Sequence, residues 1–114
     1  MMQIVTTSIP NERYDVTVIH VSDYVRYAEL NNIEEELEEA KIAPFVVLSG
    51  KMPSWYSLGI TAHLMKMGVK VLGIFRPPAK KVLVVWSEDP SRIGEWIELP
   101  KRLTEFCISG EYYG

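Results

Sequence analysis

Residues 45 to 55, Phe-Val-Val-Leu-Ser-Gly-Lys-Met-Pro-Ser-Trp, run an apolar segment into a glycine, a lysine and a proline. An unbroken apolar run of this length suits a strand buried on both faces, as in a parallel sheet. Gly50 turns the chain without a Cβ penalty, and Pro53 suits the first turn of a helix, where its missing N–H costs nothing. A buried strand, a tight turn and a helix in that order define an α/β unit. The turn also aims free backbone N–H groups and the positive end of a helix dipole at one point, with Lys51 beside them. Anions, phosphates above all, favour that arrangement.

The rest of the chain must supply the layers around this unit. At 114 residues it has room for one domain and one main core. Residues 3–7 and 14–21 are β-prone and separated by the turn Ile9-Pro10-Asn11-Glu12, which predicts an antiparallel hairpin with His20 at its end. Residues 22–27 form a connector without a clear pattern. Leu30, Ile33, Leu37 and Ala40 then fall at helical spacing, with Glu34, Glu35, Glu36, Glu38 and Glu39 on the remaining arc and Asn32 with Glu35 as a capping pair. This acidic arc reads as a solvated helix face.

Residues 54–66 read as a helix with two apolar stripes. Trp55, Leu58, Ala62 and Met65 form one; Tyr56, Ile60, His63 and Met67 form the other. One stripe packs on the sheet, and the second asks for a partner subunit, which predicts a homodimer with His63 at or near its interface. Residues 69–75 and 81–86 form a second hairpin whose tip carries Arg76, Lys80 and Lys81, the main concentration of positive charge. Residues 95–99 suggest a last short strand, and 101–107 a last turn or helix. The expected fold is therefore a single-domain α/β protein, with a mixed sheet of about five strands and two main helices.

Composition narrows the function. A net charge of −3 argues against broad nonspecific binding to DNA or RNA, while leaving room for a local basic pocket. One cysteine, Cys107, excludes an internal disulfide and a cysteine-rich metal site. No apolar run approaches the ~20 residues of a membrane span, and a cytoplasmic location is expected.

The sequence Ser49-Gly50-Lys51-Met52-Pro53-Ser54-Trp55, followed by Ala62-His63, Phe75-Arg76-Pro77 and a Val-rich partner strand, resembles the Csx-three ring nucleases, a CRISPR-associated family of type III systems. The likeness covers residues 3 to about 99. It implies a dimer that binds cyclic tetra-adenylate, the second messenger of those systems, and cleaves it with manganese to switch the antiviral signal off. By this resemblance Ser49, Gly50 and Lys51 hold the ligand, with Pro53, Trp55 and Arg76 beside it, and His63 near the cleft is the catalytic candidate. Two departures matter: Arg76 stands where the family has its catalytic aspartate, and Ser87 where it has a further histidine. Glu88 and Asp89 are neighbouring carboxylates able to substitute under a different hairpin register.

A basic residue in place of a carboxylate favours phosphate and disfavours manganese. A metal-free route would have the ribose 2′-OH attack its own phosphate, with His63 moving a proton and Lys51 or Arg76 stabilising the oxyanion. Adenines are expected to stack on Trp55 or Tyr56. Three functions follow: a slow ring nuclease, a receptor that sequesters the messenger or relays its signal, and a structural dimer without a nucleotide ligand.

Overall fold

The computed structural model describes residues 2–113. Six strands form one mixed sheet in chain order: β1 (Gln3–Thr7), β2 (Val16–Val21), β3 (Phe45–Gly50), β4 (Val71–Arg76), β5 (Lys81–Ser87) and β6 (Trp96–Ile97). Strands β2, β3 and β4 are parallel to one another, and the outer pairs are antiparallel. The expected α/β class and both hairpins stand. The sixth strand is the two-residue piece at 96–97, inside the 95–99 segment that reads as a last short strand.

Helices α1 (Ile33–Ala40) and α2 (Ser54–Lys66) make the two parallel crossovers and lie on one face. Their Ile33, Leu37, Tyr56, Ile60 and Leu64 pack with Ile19, Val46, Leu48 and Leu72 of the sheet. Helix α3 (Lys101–Ser109) covers the other face, setting Leu103, Phe106 and Cys107 against Val16, Val18, Phe45, Val47, Val82 and Val84. Alternation along β2 and β3 thus divides every apolar residue between two cores, which is why these strands read as continuous hydrophobic runs.

Two local expectations change. The capping pair Asn32/Glu35 does not form, since the Asn32 side chain makes no cap hydrogen bond. A 3₁₀ turn at Tyr27–Asn32 precedes α1 and is closed instead by Arg26 N–H donating to Glu29 Oε2 at 2.7 Å. In α2 the stripe carrying Tyr56 and Ile60 goes into the core, while Leu58 is 68% exposed and Ala62 and Met65 also face solvent. His63 follows the buried stripe to its flank, four residues after Gly59, which abuts Leu30 and Ile33. The exposed apolar face of α2 is therefore the one without the histidine.

Candidate functional site: the carboxyl ends of the parallel strands

In parallel α/β sheets, ligands collect beyond the carboxyl ends of the strands, where loops diverge over open helix N-termini. Here that end gathers four loop segments: residues 22–25 after β2, the Gly50-Lys51 turn after β3, Arg76 closing β4, and Lys81 opening β5 opposite it. The β3–β4 register pairs Leu48 with Ile74, so two residues further on Gly50 and Arg76 end adjacent strands at the same level. Among the described residues, none of Lys51, Arg76, Lys80 and Lys81 is engaged in an ion pair. A chain of negative net charge thus carries four cations outside any ion pair at one end, with Asp23 lining the same groove as Lys51.

Gly50 makes this corner. Its φ is +92°, and a Cβ there would stand 2.1 Å from the carbonyl oxygen of Val21 on the neighbouring strand. Both conditions admit only glycine. The turn then places Lys51 in solvent and starts α2 at Ser54 behind Pro53, whose carbonyl accepts from the N–H groups of Tyr56 and Ser57 at 3.0 Å each. Beneath the corner a small cleft of about 110 Å³ opens between β3, β4 and the first turn of α2, lined by Leu48, Gly50, Met52, Ser57, Ile74 and Phe75. A wider groove of about 410 Å³ runs on the other side of Lys51, against residues 22–25.

Ser49 sits differently from its expected role. The residue is 3% exposed, and its hydroxyl points into the α3 core, 2.8 Å from His20 Nδ1. The Cys107 thiol adjoins the same hydroxyl, and burial pushes that thiol up to about 11. The side chain of Ser49 therefore braces the end of β3 and leaves only its backbone to face a ligand. His20, a surface or half-buried residue by sequence reasoning, is 2% exposed and packs on Phe106 at 5.6 Å between ring centroids. Desolvation lowers its pKa from the ordinary 6.5. The folded state therefore holds it neutral, while the unfolded chain takes up a proton below about pH 6.5; stability is retained above that pH and falls as pH drops toward the folded value. Urea titrations at pH 7.5 and 5.5 are expected to show a lower midpoint at 5.5, with most of the difference gone in His20→Asn. An equal difference in that variant would assign the effect elsewhere.

The remaining sequence candidates divide. Trp55 is half-buried, its ring 4.7 Å from that of Tyr27. Tyr56 is fully buried, and burial is the main cause pushing its phenol up to about 12, so it cannot stack on a base. His63 lies nine residues into α2, about 13 Å along the axis from Ser54 at ~1.5 Å per residue. It is half-buried there and shares neither groove with Lys51.

The substitute carboxylates are at the far end of the sheet. Ser87 pairs with Val71 at the start of β4, so Glu88 and Asp89 lie opposite the Arg76 end. Both are occupied there: Glu88 binds Lys70 at 3.0 Å, and Asp89 accepts from Ser91. Among the described residues no group of three His, Cys, Asp or Glu is placed to hold a metal ion. That far end holds a cavity of about 500 Å³, where Arg92 bridges Glu12 through both guanidinium nitrogens at 2.9 Å and Glu95 at 3.0 Å, while Arg13 lines it over the Tyr14 ring without an ion pair among the described residues.

Sequence reasoning missed Asp23 and Tyr24, which line the groove beside Lys51. They fall in the connector that has no periodicity, and only an aromatic between polar turn residues marked it. Fold and site together define an α/β domain with two clefts at its strand ends, one of them flanked by Lys51 and Asp23, while Arg76, Lys80 and Lys81 close the neighbouring strands and line neither cleft. The sequence matches no family model and no curated protein. No helix among the described residues is long and apolar enough to cross a membrane.

Proposed function

We propose that this chain is a cytoplasmic receptor for cyclic tetra-adenylate, the second messenger of type III CRISPR defence, taken up at the Gly50-Lys51 corner. The observation that supports this reading is the gathering of Lys51, Arg76, Lys80 and Lys81 at one sheet end, none of them in an ion pair among the described residues. A ring of phosphodiesters needs such a cluster, and its affinity should fall steeply with salt. Binding without cleavage is favoured over the ring-nuclease reading by the position of His63. One chain keeps Lys51 and His63 near opposite ends of α2, so proton transfer at a phosphate held by Lys51 would need a second copy to bring its own histidine.

The receptor works as a homodimer in this reading. Leu58, Met65 and, on the same side of the sheet, Ile74 and Val85 are exposed, as is Trp96 opposite Leu83. Apolar side chains this numerous on one side of a small domain mark an interface. Leu58→Glu is expected to convert a dimer to a monomer in sedimentation at ~10 μM, the range where weakened contacts dissociate. A wild type that sediments as a monomer at that concentration removes the dimer from the proposal.

The deciding assay is calorimetric titration with cyclic tetra- and hexa-adenylate, with and without manganese, followed by chromatography of the products. Tight binding with an intact ring supports the receptor. Linear products that appear tenfold more slowly in His63→Ala would establish the nuclease. No heat with either ring at micromolar protein leaves the structural dimer.

A further inference from the structure

We infer that the groove between residues 22–25 and 51–53 is a subsite for one amino-bearing purine nucleotide, with its base on Tyr24 and its phosphate on Lys51. The inference deepens the cyclic tetra-adenylate reading, and would make this groove the place where one adenylate of the ring is recognised. Its walls are fixed by the sheet. Strands β2 and β3 pair in register to their last residues, His20 with Ser49 and Val21 with Gly50, so the two loops leave side by side. Val25 is buried and pins one rim in the core. Tyr27 and Trp55, ring against ring, tie that rim to the start of α2.

Between these anchors Tyr24 stands 86% exposed, with no hydrogen bond or ring partner among the described residues. With the backbone set by Val25, the Tyr24 ring offers both faces to a base; such stacking contributes about 1–3 kcal/mol per base, net of the rotamer freedom the ring gives up. Lys51, on the opposite rim, supplies the cation for a phosphate. Asp23, beside Tyr24, is an acceptor-only group that suits an exocyclic amine and repels a carbonyl edge. Adenine offers such an amine, and uracil offers carbonyl oxygens instead. The groove volume of about 410 Å³ lies within the range of small-ligand clefts.

The probe is adenosine 5′-monophosphate, titrated into the ¹⁵N-labelled protein and compared with uridine 5′-monophosphate and ribose 5-phosphate. Saturable shifts at residues 22–25 and 51–52 are expected for the adenine nucleotide, at least tenfold weaker for the uridine nucleotide and absent for the sugar phosphate. Tyr24→Ala should weaken adenosine monophosphate at least tenfold, Tyr24→Phe should keep it, and Asp23→Asn should bring the two nucleotides level. Equal shifts from the sugar phosphate, shifts confined to other residues, or unchanged affinity in Tyr24→Ala would each overturn the subsite. Failure of the messenger reading looks different: the mononucleotide shifts persist while cyclic tetra-adenylate gives no binding. If instead the messenger binds Tyr24→Ala as well as wild type, the reading survives and the subsite does not.

Discussion

Gly50→Ala is expected to lower the melting temperature by roughly 12 °C and to abolish messenger binding at the same time. The size follows from two costs at one atom. A side chain at φ +92° is strained, at about 1–3 kcal/mol. The added Cβ must also displace the Val21 carbonyl, 2.1 Å away, and that oxygen belongs to a central strand with little room to shift. Together they come to about 3 kcal/mol or more, and in a domain of this size each kcal/mol corresponds to roughly 4 °C. Differential scanning calorimetry measures the first effect and titration below the new transition the second. A Gly50→Ala protein that melts with the wild type would overturn the tight β2–β3 corner as the cause. Gly68→Ala serves as the control, because its φ of +85° brings strain without any atom within 4 Å of the added Cβ.

Lys51→Glu should weaken cyclic tetra-adenylate at least ~100-fold, equivalent to about 2.7 kcal/mol. Reversing the charge removes one attraction and adds one repulsion against a ring that carries a negative charge on each of its phosphodiesters. Lys51 is solvent-exposed, so the loss is screened: it should shrink markedly between 0.05 and 0.5 M salt, values chosen to span about 14 to 4 Å of Debye length. Folding should be untouched, since the side chain makes no ion pair among the described residues. Retention of affinity within threefold at low salt would place the ligand elsewhere, and the hairpin tip with Arg76, Lys80 and Lys81 is the next position to reverse.

Much of this architecture was legible in residue order. The run from Phe45 to Ser49 announced a strand buried on both sides, and the helix after Pro53 begins at Ser54 and ends at Lys66 as its pattern requires. The site was legible only at its corner, through Gly50 and Lys51. What stayed hidden depended on contacts between distant segments. Whether α2 buries Tyr56 or Trp55 is decided by which side meets the sheet, and both stripes are apolar enough for either. That Ser49 turns inward depends on the parity of β3 and on a histidine 29 residues earlier. Tyr24 shows no periodicity at all, because its position is set by Val25 sinking into a core that other segments build.

Helix α3 has a consequence for the order in which the molecule can close. It follows every strand in sequence, yet it roofs a layer built from strands at residues 16–18, 45–47 and 82–84, together with the His20–Ser49 pair. During synthesis the helical layer on the opposite face can assemble once β4 has emerged. The face under α3 stays wet until residues 101–109 arrive, so the greasy underside of an already paired sheet is open to water, and to other nascent chains, until that helix is made.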